Sequence, residues 1–120
     1  VHDQYRDYYV DAPSYNKAYS KKNDDGKAPS FSLWDGGKQE FLCPQFYLGF
    51  VKRNMNRMWE AGLKLDGIYL DVFSCVALDE CYDKEHRVTR EQCKDDRNLV
   101  LIICVLWDAS FPQRKVLAGQ

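Results

Sequence analysis

The chain has 120 residues, a formal net charge of -1 and a hydrophobic fraction of 45%. This length fits one small domain, and the hydrophobic fraction is too high for a disordered segment. The near-zero charge gives no electrostatic basis for binding nucleic acid or an anionic membrane. No apolar run reaches the ~20 residues that span a bilayer. We therefore expect neither a nucleic acid nor a membrane as partner, while the compartment is not predicted.

The N-terminal third of the sequence is rich in aromatic, charged and turn-forming residues. Residues 1–13, VHDQYRDYYVDAP, mix tyrosines with charges and suit a loop that leaves the end of a strand. Residues 14–30 contain Asn23, Asp24, Gly26 and Pro29, which predict an exposed segment. The Gly36-Gly37 pair predicts a tight turn. A phosphate-binding loop is disfavoured, because the G-x-x-x-x-G-K-[ST] spacing is absent.

Residues 45–61 have the apolar spacing of a helix. Pro44 can precede its first turn and Gly62 is a suitable stop. The apolar residues recur at steps of three and four and are more typical of a core than of a cofactor site. They are Leu48, Val51, Met55, Met58 and Trp59.

Two continuous apolar runs predict buried strands. The first is GIYLDVF at residues 67–73, and the second covers residues 99–107. Between them, Thr89 and Gln92 have the spacing of a capping box, which predicts a helix from about Arg90 to Asn98. The order of helix, strand, helix and strand predicts an α/β fold with parallel strands.

Asp71 interrupts the first apolar run and is the leading candidate for a functional residue. A buried carboxylate needs a partner, unless it lies at the exit of its strand. Ligands of parallel α/β folds bind at the carboxyl ends of strands. Asp71 could there be a nucleophile, a base, a metal ligand or a structural anchor. The surrounding aromatic residues favour a sugar ligand, although ordinary packing explains them equally well: Tyr5, Tyr8, Tyr9, Trp34 and Tyr69.

Glycoside hydrolysis normally needs a second carboxyl group, about 5 Å from the first for retention or about 6.5–9.5 Å for inversion. Glu80 is our candidate for that role. Asp79 on the same segment and Asp108 after the second apolar run are the alternatives.

Four segments together resemble the motifs of a known family: HDQYRDYY, LWDGGKQEFLCP, DGIYLDVF and LDECYDKEHRVTREQC. They are similar to consecutive motifs of large bacterial glycoside-hydrolase-like (β/α)8 proteins. That family is related to endo-α-N-acetylgalactosaminidases and, more remotely, to retaining α-galactosidases. The resemblance covers roughly residues 1–95.

This resemblance implies that residues 1–120 are a fragment of one glycosidase-like domain, a partial (β/α)8 TIM barrel. It implies a retaining mechanism with Asp71 as nucleophile, because the related enzymes have an aspartate in a Y-x-D-V-like context at the end of the fourth strand. It also implies a carbohydrate substrate held by surrounding side chains. These are His2, Asp3, Arg6, Asp7, Trp34 and Asp35.

The sequence departs from the family after Arg97. Residues 96–120 do not align, so the glutamate expected as acid/base at the end of the next strand is not recognised. A (β/α)8 barrel takes ~250 residues. We therefore expect the remainder of the barrel to be required, and the 120-residue chain alone to be inactive and prone to aggregation.

Two other functions remain open. One is a non-catalytic carbohydrate-binding or structural relative of the barrel, since a fold does not fix a function. The other is a zinc-binding module formed by Cys75, Cys81, His86 and Cys93, although these spacings are not of the C-x₂-C type. A calcium loop is disfavoured because the D-x-D-x-D-G pattern is absent. The five cysteines are expected to be mostly free thiols. No cofactor and no metal are predicted.

Overall fold

The structure, a computed structural model, describes residues 6–34, 37–64, 66, 68, 70, 73 and 76–106. None of the helices in these ranges is long and apolar enough to cross a bilayer. Two single-turn 3-10 helices lie at Lys17–Tyr19 and Pro44–Phe46. The main elements are β1 (Asp7–Tyr9), β2 (Phe31–Trp34), β3 (Gly37–Phe41), α1 (Tyr47–Glu60) and α2 (Arg90–Leu106).

The three strands form an antiparallel sheet in the order β1-β3-β2. Trp34 pairs with Gly37 across the β2–β3 connection. The predicted turn includes Gly36, which lies outside the described residues. β1 lies inside the segment that we predicted as a loop, and that prediction is wrong there. The reason is Tyr8, whose side chain is fully buried and whose hydroxyl accepts a hydrogen bond from Asn16 N at 2.7 Å.

Helix α1 confirms the helix predicted at residues 45–61. Its buried apolar face includes Tyr47, Val51 and Met55. Gly62 ends the helix with φ of 88°, a backbone angle that glycine adopts without strain. The Gly62 amide donates to Trp59 O at 3.0 Å and the Leu63 amide to Met58 O at 2.9 Å. This pair of bonds is a Schellman motif.

Helix α2 begins as predicted but does not end as predicted. Thr89 N donates to Gln92 Oε1 at 2.9 Å and Gln92 N donates to Thr89 Oγ1 at 3.2 Å, which confirms the capping box. The helix then continues to Leu106, so the predicted end at Asn98 and the strand predicted from residue 99 are wrong. Burial explains the difference, because the buried residues of α2 have helical spacing: Cys93, Arg97 and Val100.

The strand predicted at residues 67–73 falls mostly outside the described residues. Ile68 and Leu70 have no regular secondary structure and Phe73 lies in a turn. The other four residues, Asp71 among them, lie outside the described part of the chain. The strands in the described ranges are antiparallel, so the parallel barrel stays a prediction.

Within the described residues, one hydrophobic core joins the sheet to both helices. Tyr8 of β1 and Leu42, the residue after β3, contribute to it, as do Val51 of α1 and Val100 of α2. Phe73, Cys81 and Val88 belong to the same core. Phe73 is therefore a fixed point of the core two positions after Asp71 in the sequence.

Candidate functional site

The structure places some of the predicted sugar-site residues but not all of them. His2, Asp3, Asp35 and the predicted nucleophile Asp71 lie outside the described residues. Trp34 is the last residue of β2, opposite Gly37. Among the predicted sugar-binding residues, the structure describes the side chains of Arg6 and Asp7. It also describes the side chain of Glu80, the candidate second carboxylate.

Arg6 is held in place by neighbouring protein groups. Its NH1 atom lies 3.3 Å from Asp7 Oδ1 and its Nε atom lies 3.3 Å from Asp79 Oδ2. The guanidinium carbon also lies 4.7 Å from the centre of the Phe41 ring, a cation–π distance. These contacts bring the start of β1 to Asp79, which is 73 positions away in the sequence.

Asp79 is the centre of a buried polar network. Its Oδ1 atom accepts from Lys21 Nζ at 3.0 Å. Its Oδ2 atom accepts from Tyr47 OH at 2.9 Å and Arg97 NH2 at 3.1 Å, in addition to Arg6. Since both carboxylate oxygens are engaged, Asp79 acts as an anchor. We name Arg6, Lys21, Tyr47, Asp79 and Arg97 the Asp79 network.

The charges of the Asp79 network are consistent with an ionised carboxylate. Burial opposes ionisation, but Arg6 and Lys21 outweigh it and hold the pKa of Asp79 below its usual value. Burial, reinforced by the charge of Asp79, raises the pKa of Tyr47 well above its usual value. Tyr47 is therefore a neutral phenol that donates to a carboxylate.

Arg97 connects the Asp79 network to the segment that follows Asp71. Its NH1 and NH2 atoms donate to Val76 O and Ala77 O, each at 2.9 Å. Its guanidinium carbon lies 5.9 Å from the centre of the Phe73 ring. That ring also packs against Tyr47, with ring centres 5.5 Å apart. Phe73 is two positions after Asp71, so these contacts support the chain next to the predicted nucleophile.

Glu80, our candidate for the second carboxylate, lies in a group of ion pairs nearer the surface. Its Oε1 atom lies 3.2 Å from Arg90 Nε, and its Oε2 atom lies 3.7 Å from Arg87 NH2. Tyr82 OH donates to Oε2 at 3.2 Å. The side chain is 28% exposed. As a catalytic group, Glu80 stays a prediction.

A second buried cluster contains Cys43, Cys81 and His86, whose metal-ligating atoms all lie within 4.8 Å of one another. Two of these residues belong to the zinc module considered from the sequence. Cys93, also in that set, instead accepts a hydrogen bond from Asp79 N at 3.3 Å. Cys75 lies outside the described residues. We name Cys43, Cys81 and His86 the thiol–imidazole cluster.

The two sulfurs of the thiol–imidazole cluster are electrostatically different. The adjacent Cys43 side chain lowers the pKa of the Cys81 thiol to about 5. The adjacent Cys81 side chain, together with burial, raises the pKa of Cys43. The Cys81 sulfur is 3.4 Å from His86 Nδ1, and the Cys43 sulfur is 3.4 Å from the His86 carbonyl oxygen.

Sequence reasoning missed several residues of these two clusters. The partners of Asp79 come from separate elements, and no local spacing relates them. Arg97 left a weak signal, because it is a charged residue on the buried face of a helix, aligned with Cys93 and Val100. No sequence signal linked Cys43 to the cluster, since 38 positions separate it from Cys81.

Neither a known family profile nor a curated protein matches the sequence. The chain is, however, similar to solved structures of the alpha-N-acetylgalactosaminidase NagBb from Bifidobacterium bifidum. Its GalNAc complex matches with a TM-score of 0.81 and 38% identity, over 88% of this chain and 17% of that one. The ligand-free form matches with a TM-score of 0.78 and 40% identity, over 84% of this chain and 17% of that one.

The complex of the same enzyme with Gal-NHAc-DNJ matches with a TM-score of 0.78 and 40% identity, over 84% of this chain and 16% of that one. The chain therefore spans less than a fifth of the length of these structures. These matches support the resemblance found in the sequence in its coarser form, since the chain is similar to part of a carbohydrate hydrolase.

Proposed function

We propose that the chain is part of a retaining glycoside hydrolase that cleaves α-linked N-acetylgalactosamine, with Asp71 as the nucleophile on a (β/α)8 barrel. One observation carries the proposal. It is the 38% identity and TM-score of 0.81, over 88% of the chain, to an alpha-N-acetylgalactosaminidase in complex with GalNAc. The four sequence motifs add support, since they place Asp71 in the family's Y-x-D-V-like context.

The chemistry of the substrate class explains why a protein carboxylate is needed. In an α-linked N-acetylgalactosamine, the 2-acetamido group lies on the same face of the ring as the leaving group. It cannot attack the anomeric carbon from the opposite face, so the substrate cannot supply its own nucleophile. In most retaining enzymes, a protein carboxylate then supplies the nucleophile.

In the first step, Asp71 bonds to the anomeric carbon while the bond from that carbon to the leaving oxygen breaks. A general acid gives its proton to that oxygen. In the second step, water attacks the anomeric carbon, the same residue takes the proton of that water, and the Asp71 carboxylate leaves. Glu80 is our candidate for the second residue.

The described contacts suggest how the site would be supported. Trp34, Asp35, His2, Asp3 and Asp7 would line the sugar, as the resemblance implies. Arg6 would contribute chiefly through the Asp79 network, because its guanidinium already contacts Asp7 and Asp79. The network fixes the chain from Val76 to Asp79 and packs Phe73, which would limit the movement of Asp71.

The nucleophile is tested by Asp71→Gly in the full-length enzyme, assayed with 4-nitrophenyl α-N-acetylgalactosaminide. We expect kcat to fall by about 10⁴-fold or more, as for removal of other nucleophiles. Azide should restore turnover and give the β-glycosyl azide, because a small anion can enter the space left by the carboxylate.

Asp66→Asn is the matched control, because Asp66 is an exposed carboxylate five positions earlier. It should leave kcat unchanged. Unchanged turnover of Asp71→Gly would refute the nucleophile. A wild-type protein that binds GalNAc without hydrolysing the substrate would instead support the non-catalytic relative.

A further inference from the structure

The thiol–imidazole cluster shares no residue with the Asp79 network, and no proposed catalytic step uses it. Cys43 precedes the 3-10 helix at Pro44–Phe46. Cys81 and His86 lie in a loop closed by paired backbone bonds between Cys81 and Val88, at 2.9 and 3.0 Å. Cys43 and Cys81 are 0% exposed and His86 is 6% exposed. The cluster therefore joins two distant parts of the chain inside the core.

We propose that Cys43, Cys81 and His86 bind a zinc ion that cross-links these two parts of the chain. Zinc takes thiolate sulfur at about 2.3 Å and imidazole nitrogen at about 2.0–2.1 Å in a tetrahedral arrangement. Ligand atoms around such an ion lie roughly 3.5–4 Å apart. The three ligand atoms here lie within 4.8 Å of one another, with Cys81 Sγ and His86 Nδ1 at 3.4 Å. Small side-chain rotations would accommodate the ion.

The surroundings of His86 are those of a metal ligand. Its Nε2 atom lies 2.7 Å from Ala18 O, and a carbonyl oxygen can only accept. Nε2 therefore carries the proton, which leaves the lone pair on Nδ1, the atom facing Cys81. Asp83 Oδ2 lies a further 3.3 Å from Nε2. A ring N–H held by a carbonyl or a carboxylate is the usual support of a zinc-binding histidine.

The imidazole of His86 is also fixed by packing. The Phe46 ring packs edge-on against the imidazole at 5.1 Å and fixes its position. The ligands are thus oriented before any metal binds.

Charge balance favours zinc in this buried position. Binding would release to solvent the proton of each sulfur that is still a thiol and form two Zn–S bonds, while Nδ1 donates its lone pair. The two negative thiolates balance the charge of Zn²⁺, and the imidazole is neutral. The metal with these three ligands would therefore carry no net charge. Water would complete the tetrahedral arrangement as the fourth ligand. The alternative is a set of hydrogen-bonded thiols, with the Cys43 thiol donating to His86 O.

The first test is metal content. Protein produced with zinc in the medium should contain about one more zinc ion per chain than Cys81→Ser, measured by inductively coupled plasma mass spectrometry. Cys93→Ser is the matched control, because Cys93 is equally buried but lies outside the cluster. It should keep the zinc content of the wild type. Equal zinc in the wild type and Cys81→Ser would overturn the proposal.

The second test needs no variant and covers the case in which Cys81→Ser does not fold. Wild-type protein loaded with cobalt in place of zinc should show thiolate-to-cobalt charge-transfer absorption. Removal of zinc with a chelator should lower the unfolding temperature, and added zinc should restore it. No charge-transfer band, or a Cys43–Cys81 disulfide found by mass spectrometry of the native protein, would overturn the proposal. Neither test depends on glycosidase activity.

Discussion

Helices α1 and α2 are packed in different ways. Helix α1 has buried residues from its first turn at Tyr47 to Met55, and it ends at a Schellman motif. Helix α2 has buried residues only as far as Val100, which is 0% exposed, whereas Val105 is 84% exposed. The N-terminal half of α2 is thus anchored in the core, and its C-terminal half presents apolar side chains to solvent.

Asp79 is where the two helices meet. Tyr47 of α1 reaches it as a neutral phenol, and Arg97 of α2 reaches it as a cation. Asp79 thus accepts a neutral hydrogen bond from α1 but balances the charge of a buried cation on α2. Loss of the charge at Asp79 should therefore destabilise α2 more than α1.

The largest effect is expected for Asp79→Asn. Asparagine has the shape of aspartate, but it would leave the buried cation of Arg97 without a neutralising charge. Arg6 and Lys21 would each lose their ion pair with Asp79 as well. Breaking a buried ion pair costs about 3–5 kcal/mol. We expect a loss of that size in the free energy of unfolding, measured by denaturation in urea.

Asp95→Asn is the control for Asp79→Asn, because Asp95 is an exposed carboxylate on α2. It should change the free energy of unfolding by no more than about 0.5 kcal/mol. Hydrogen exchange would show which helix is affected, and amides of α2 should lose more protection than those of α1. Equal loss in both helices would contradict the proposed difference.

An intermediate effect is expected at the start of α2. Thr89→Ala removes the side-chain oxygen that accepts from Gln92 N at 3.2 Å. Loss of such a cap costs about 1 kcal/mol. Thr89→Ser keeps the hydroxyl and should keep most of the stability. If thermal denaturation gave the same midpoint for Thr89→Ala as for the wild type, the cap would contribute nothing to α2.

Sequence predicted α1 better than α2 for a physical reason. The apolar residues of α1 alternate with polar ones at helical spacing, and Gly62 marks the end. The run LVLIICVL in α2 has no polar interruption, so periodicity cannot distinguish a buried strand from a helix there. The same limit applies to the clusters. Cys81 and His86 are near each other in sequence and were predicted together, but Cys43 and Asp79's partners come together only in the folded chain.

The smallest effect is expected for Val105→Ala. The sign of the change in the free energy of unfolding distinguishes the helix of the structure from the strand predicted from the sequence. Alanine is the better helix former by up to about 0.7 kcal/mol, and Val105 buries little apolar surface. In a helix, the substitution should therefore raise the free energy of unfolding by roughly 0.5 kcal/mol. In a strand, the substitution should lower the free energy of unfolding, because valine is favoured there.

Val100→Ala is the matched control on the buried face of α2 and should cost about 2 kcal/mol. A loss of stability for Val105→Ala comparable to that of Val100→Ala, measured by urea denaturation, would mean that the exposed half of α2 is packed in solution.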